Sequence, residues 1–105
     1  MSQFDGYIKR VKELFLKSYS DEDWALYVNY CASITAFVGA FPEKSRSFKE
    51  LIVPLIKVMG DKIDVIRKNS AILLAKLVKD EECMKIMKAN HGTEVLVSLQ
   101  NQLTS

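Results

Sequence analysis

Glycine and proline are scarce in this sequence, which holds four glycines and two prolines among 105 residues. A fold built from many short strands needs such residues at its turns, so their scarcity favours long helices. Hydrophobic residues make up 49% and charged residues 27% of the chain, as in an ordinary soluble globular domain. At this length the composition predicts one folding unit with a modest core.

Charge of one sign and long apolar runs are also lacking. Fifteen basic and 13 acidic side chains are well mixed and give a net charge of +2, whereas nucleic-acid binders concentrate positive charge more strongly. The most apolar stretch, residues 26–41, contains Asn29 and Ser33 and is shorter than the roughly 18 residues of a membrane span. The charged, amphipathic N-terminus does not resemble a signal peptide. We therefore expect no membrane span and no dedicated nucleic-acid surface.

Two cysteines and one histidine offer little for catalysis or metal binding. Cys31 and Cys83 lie far apart among apolar residues, as reduced core cysteines do, and predict a cytoplasmic or nuclear location. His91 stands beside Gly92 in a predicted turn, without a second histidine or clustered cysteines to complete a metal site. The acidic residues 80–82 are best interpreted as charge at a helix N-terminus. We expect no catalytic residue, no metal and no cofactor.

Apolar residues recur at three- and four-residue steps, the period of an amphipathic helix. A first helix is predicted to end at residues 19–21. Ser20 and Asp23 resemble a capping box for a second helix over residues 21–40. Residues 43–46 are predicted to form a loop after it.

The second half of the sequence begins with a capping box at Ser47 and Glu50, which opens a third apolar run. Pro54 lies inside this run, so the chain either restarts with the proline in a first helical turn or kinks. The strongest helix is predicted over residues 63–79, and Asp80 is predicted to cap a short helix after it. Residues 90–92 are predicted to form a turn, which is followed by a last helix.

A period of 40 to 41 residues relates the two halves of the chain. A shift of 41 residues carries Leu14 onto Leu55, and a shift of 40 residues carries Ile34 onto Leu74. Several further apolar pairs follow the same shifts. This is the length of the helical units in solenoid repeat proteins.

The motifs within that period resemble the armadillo repeat. They are VPLIKVM at 53–59, DVIRKNSAILLAKL at 64–77, MKIM at 84–87 followed by His-Gly, and VLVSL at 95–99. In that family a proline-led second helix precedes a long third helix, and a separate short first helix favours armadillo over HEAT repeats. The resemblance implies an all-α, right-handed superhelical stack. Its units would cover residues 1–41, 42–80 and, in part, 81–105.

The resemblance also implies a function, because successive third helices of such arrays line a groove that holds an extended peptide. The groove positions of the two units are Asn69, Ile72, Lys76, Lys79, Asn29, Ala32 and Ala36. Import receptors of the family read basic signals with Trp and Asn four residues apart, where this chain has Ile72 and Lys76. We therefore expect a non-enzymatic interaction module that binds a protein or an acidic peptide.

Four alternatives stay open at this stage. The lysines of the third helix could simply solvate an exposed face. The chain could be a HEAT-like segment of a transport receptor or chaperone cofactor. Lys9, Arg10, Lys12 and Lys17 of the first helix could contact nucleic acid or anionic lipid, although Glu13 dilutes their field. Uncovered terminal repeats could also pair in a homo-oligomer.

Overall fold

The computed structural model describes residues 4–59 and 63–90, and every regular element in those ranges is helical. The all-α prediction is therefore confirmed for this part of the chain. The elements in order are α1 (Asp5–Ser20), α2 (Trp24–Ala40), a 3₁₀ helix (Pro42–Leu51), α3 (Ile52–Val58), α4 (Asp64–Leu77) and α5 (Glu81–Ala89). The predicted turn at His91-Gly92 and the last helix lie outside the described residues.

The turn between α1 and α2 is a Schellman motif. The backbone N–H of Asp23 donates to the carbonyl oxygen of Ser18 at 2.9 Å, and that of Glu22 donates to Tyr19 at 3.2 Å. Glu22 takes the left-handed position of this motif with φ 55°. Glycine is preferred there because a Cβ atom crowds the backbone in that conformation.

The capping box predicted at Ser20 and Asp23 is wrong. Asp23 is itself the N-cap of α2, and its carboxylate accepts a hydrogen bond from the Leu26 backbone N–H at 3.3 Å. The Schellman turn uses residues 21 and 22, so α2 begins at Trp24 rather than at residue 21. The predicted end of α2 at Ala40 is confirmed.

The loop predicted over residues 43–46 and the capping box at Ser47 and Glu50 are also wrong. A 3₁₀ helix starts immediately at Pro42, whose fixed φ suits a first helical position. The segment is kinked at Phe48, whose φ of −107° and ψ of 16° are not helical, so two short helical pieces meet there. Its buried side chains are three residues apart. They are Ser45, Phe48 and Leu51.

Pro54 is accommodated by a restart of the helix rather than by a kink within it. α3 begins at Ile52, so Pro54 lies in its first turn, where a backbone N–H has no partner within the helix. Of the two alternatives that the sequence left open, a first helical turn around Pro54 is present, and the apolar run is also kinked, at Phe48.

The core is centred on α2, which packs against α1, α4 and the 3₁₀ helix. α3 packs on α4, and α5 packs on α3 and the 3₁₀ helix. Across the α2–α4 contact the hydroxyls of Tyr27 and Ser70 share a buried hydrogen bond of 2.6 Å. Cys31 and Cys83 are free and buried, as predicted.

Glu22→Gly tests the strain in the α1–α2 turn. Glycine relieves the left-handed backbone, so we expect the free energy of unfolding to rise by about 0.5–1 kcal/mol. Glu22→Ala is the matched control, because it removes the same charge but keeps a Cβ atom. Urea denaturation followed by circular dichroism measures both. A glycine variant no more stable than the alanine variant would contradict the strained turn.

Candidate partner-binding face

The exposed side of α2 is made of small, uncharged residues. Asn29, Ala32 and Ala36 are all exposed, as the groove prediction requires. No charged residue occurs between Trp24 and Ala40. α2 therefore offers a shallow, neutral surface.

The exposed side of α4 combines an apolar side chain with lysines. Ile72 is 54% exposed, Lys79 is exposed just beyond the end of the helix, and Asn69 and Lys76 are half-buried. The four residues follow at three- and four-residue steps and so share one stripe of the helix. We call the exposed sides of α2 and α4 together the α2–α4 face.

Val65 belongs to this face, although it is not among the predicted groove residues. Its side chain is 52% exposed, and it lies seven residues before Ile72 on the same stripe. Lys68, also exposed, lies between them. The seven-residue spacing from Ile72 was the signal that could have revealed Val65.

The structure brings the two helices together at their C-terminal ends. α2 packs directly on α4. Gly39, Lys76 and Lys79 line one cavity of about 500 Å³, which Pro42 and Arg46 also line. The lysines predicted for the groove therefore lie near Gly39 at the end of α2.

The exposed stripe of α4 carries charge of one sign. No aspartate or glutamate occurs between Asp64 and Asp80, whereas this stretch carries four basic residues. Of these, Arg67 forms an ion pair with Asp64. Lys68, Lys76 and Lys79 lie on the exposed stripe, so the face is suited to negatively charged groups.

Acidic residues border the C-terminal end of the face, where Glu43 of the 3₁₀ helix, Asp80 and Glu81 line the same cavity as Lys76 and Lys79. Asp80 is the N-cap of α5, and its carboxylate accepts the Cys83 backbone N–H at 3.1 Å, as predicted for the acidic cluster. Arg46 of the 3₁₀ helix pairs with the same carboxylate at 3.2 Å. Partial burial opposes ionisation of Asp80, but the Cys83 N–H and the Arg46 guanidinium outweigh it and lower the pKa of this carboxyl group.

The basic residues of α1 are largely paired with acids. Lys12 donates to the Ser47 carbonyl oxygen at 2.8 Å and lies 3.2 Å from the Glu50 carboxylate. Ion pairs also join Lys17 to Asp21 and Arg10 to Glu13. These pairs reduce the field that α1 presents to a polyanion.

The thiols are poorly suited to nucleophilic chemistry. Burial raises the pKa of Cys31 to about 12. Burial, together with the nearby Asp80 carboxylate, raises the pKa of Cys83 to about 12 as well. Both thiols are protonated at neutral pH, and the thiolate is the reactive form.

Metal ligands do not cluster among residues 4–59 and 63–90, where no three His, Cys, Asp or Glu side chains come together in a way that could hold an ion. Within the same ranges, none of the helices combines the length and the apolar character that crossing a membrane demands. His91 lies outside the described residues.

Two replacements of Asp80, by alanine and by asparagine, separate the contribution of the N-cap hydrogen bond to stability from that of the negative charge. We expect Asp80→Ala to lower the free energy of unfolding by about 1 kcal/mol at pH 7, and Asp80→Asn by less, because asparagine still caps. The pKa of Asp80 is lowered by folding, so its charge stabilises the protein above the unfolded pKa of about 3.9, and this contribution is lost as the pH falls further.

The gap in stability between the wild type and Asp80→Asn should therefore narrow as the pH falls from 7 to 3.5. Urea denaturation at several pH values measures it. A gap that does not change with pH would contradict a stabilising charge at Asp80.

Comparison with known proteins gave no relative of this chain: no protein-family model matches it, and neither does any curated protein or solved structure.

Proposed function

We propose that this chain is a non-enzymatic protein–protein interaction module of the armadillo type, which binds a partner peptide or domain on the α2–α4 face. The observation that supports this most directly lies on α4. Ile72 is more than half exposed there, beside Lys76 and Lys79, on a stripe without any carboxylate. An apolar side chain between cations is a suitable contact for a partner that carries both apolar and acidic groups.

The packing order supports the armadillo-type architecture. α2 follows α1 and packs on it, α4 follows α3 and packs on it, and α2 packs on α4 as neighbouring third helices would. Residues related by the 40-residue shift have the same burial: Cys31 and Ala71 are both buried, and so are Ile34 and Leu74. On this proposal the units cover residues 1–41, 42–80 and, in part, 81–105 of a right-handed superhelix.

An acidic partner is favoured over a basic one. The positions that hold tryptophan and asparagine in import receptors hold Ile72 and Lys76 here, and Ala32 and Ala36 one unit earlier. Lysine repels basic signals. Because the surface of α2 is uncharged, the residues of α4 determine the sign of the charge on the α2–α4 face. The free, protonated cysteines fit a reducing compartment, the cytoplasm or the nucleus.

A homo-oligomer is a second possibility that one observation favours. Tyr7, Leu16 and Leu26, on α1 and α2, are 37–44% exposed. Tyr7 and Leu16 are nine residues apart and so lie on opposite sides of α1. Pairing of two copies through one side of α1 would therefore cover one of these two side chains.

Selection from a random peptide library displayed on phage tests the proposed function. We expect the wild type to enrich sequences rich in Asp and Glu together with aliphatic residues. The double variant Lys76→Glu/Lys79→Glu should lose binding to the enriched peptides by about tenfold or more, because each introduced glutamate repels their acidic residues.

Lys57→Glu/Lys85→Glu is the matched control, because it makes the same change of charge at exposed positions on α3 and α5. It should keep most of the affinity. If no peptide is enriched, or if both double variants lose affinity equally, the α2–α4 face is not a specific binding surface.

A further inference from the structure

An apolar seam runs along the exposed side of α4. Val65 and Ile72, both β-branched, are 52% and 54% exposed. They are seven residues apart, so about 10.5 Å of helix axis separates them. Among the large apolar residues described, these two are the most exposed.

Lysines flank the seam. Lys68 lies three residues after Val65 and four before Ile72, while Lys76 and Lys79 lie four and seven residues after Ile72. Side chains three or four residues apart are neighbours on a helix surface, so Lys68 lies beside both Val65 and Ile72, and Lys76 lies beside Ile72. Lys79 follows Lys76 at a further three residues, beyond the end of α4. A partner that covers the seam therefore meets positive charge along its length.

The neighbouring surface of α2 carries small side chains and is therefore shallow. Ala25, Ala32, Ala36 and Gly39 are exposed and small. A Cβ atom placed on Gly39 would have no atom within 4 Å, so there is open space above this end of the helix. A straight helical segment of a partner can therefore lie along α4 while the backbone of that segment comes close to α2.

The polar side chain best placed to hold an extended peptide points elsewhere. The amide nitrogen of Asn69 donates to the Val65 carbonyl oxygen of its own helix at 2.7 Å. An extended strand also presents the same face every 6.6–6.8 Å, which does not match a repeat of about 10.5 Å. One heptad of an α-helix does match it.

Resting on the proposed function, we infer that the occupant of the α2–α4 face is an amphipathic α-helix with aliphatic residues seven apart and acidic residues beside them. The helix lies along α4. Its aliphatic residues pack on Val65 and Ile72, and its carboxylates approach Lys68, Lys76 and Lys79. This favours a helix over the extended peptide that the armadillo resemblance implies.

A synthetic three-heptad peptide with isoleucine and leucine in the seam and glutamate on both flanks tests this inference. Flanking glutamates also disfavour pairing of the peptide with itself. A second peptide has proline at one central position, which breaks the helix. Fluorescence anisotropy measures the affinity of each labelled peptide for the full chain, and circular dichroism measures the helix content gained on binding.

We expect the helical peptide to bind at least about tenfold more tightly than the proline peptide. Ile72→Ala and Val65→Ala should each weaken it several-fold, whereas Leu16→Ala, a change at an exposed leucine of α1, should not. A peptide with lysine in place of glutamate should bind Lys76→Glu/Lys79→Glu better than it binds the wild type.

Two contrary outcomes are distinguishable. If the proline peptide binds as well as the helical one, and both depend on Ile72 and on the lysines, the occupant is extended and the proposed function stands. If neither peptide depends on these residues, both the helical occupant and the proposed function are wrong.

Discussion

The contact between α2 and α4 is the interaction on which the rest of the structure depends. α2 touches α1 and the 3₁₀ helix as well as α4, so it joins the first helical pair to everything that follows. Its buried residues are Tyr27, Cys31, Ile34 and Val38. The Tyr27–Ser70 hydrogen bond adds a directional element, because two buried hydroxyls satisfy each other only at one register of the two helices.

The same helix has two distinct tasks. A charged residue on its inner side would be buried against three elements at high cost, which accounts for an uncharged core side. On its outer side, charged residues would carry no cost of burial. That side nevertheless lacks charge and consists mainly of alanine, glycine and polar uncharged residues. An outer side of that kind would be expected where a partner approaches the backbone closely. The charge of the face is instead supplied by α4, whose lysines border a cavity shared with α2.

Helices with strong periodicity could be predicted from the sequence, and local turn geometry could not. The helix predicted over residues 63–79, which the structure has at Asp64–Leu77, and the Asp80 cap are predictable because apolar spacing and a capping residue agree there. The 3₁₀ helix was missed because polar residues at 43, 44 and 46 hide the three-residue spacing of its buried side chains. The left-handed conformation of Glu22 is not predictable, because glycine or asparagine usually occupies such a position and a glutamate does not indicate it. Val65 is not among the predicted groove residues, because periodicity separates helix faces less sharply than burial does.

The most direct test of the account is a titration of ¹⁵N-labelled protein with the glutamate-flanked helical peptide, followed by two-dimensional NMR. We predict that the amide shifts that change most lie in α2, from Asn29 to Gly39, and in the segment from Val65 in α4 to Lys79 just beyond its end. The amides around Lys9 and Lys12 of α1 should change little. Changes centred on α1, or spread evenly over all the helices, would contradict a binding surface formed by α2 and α4.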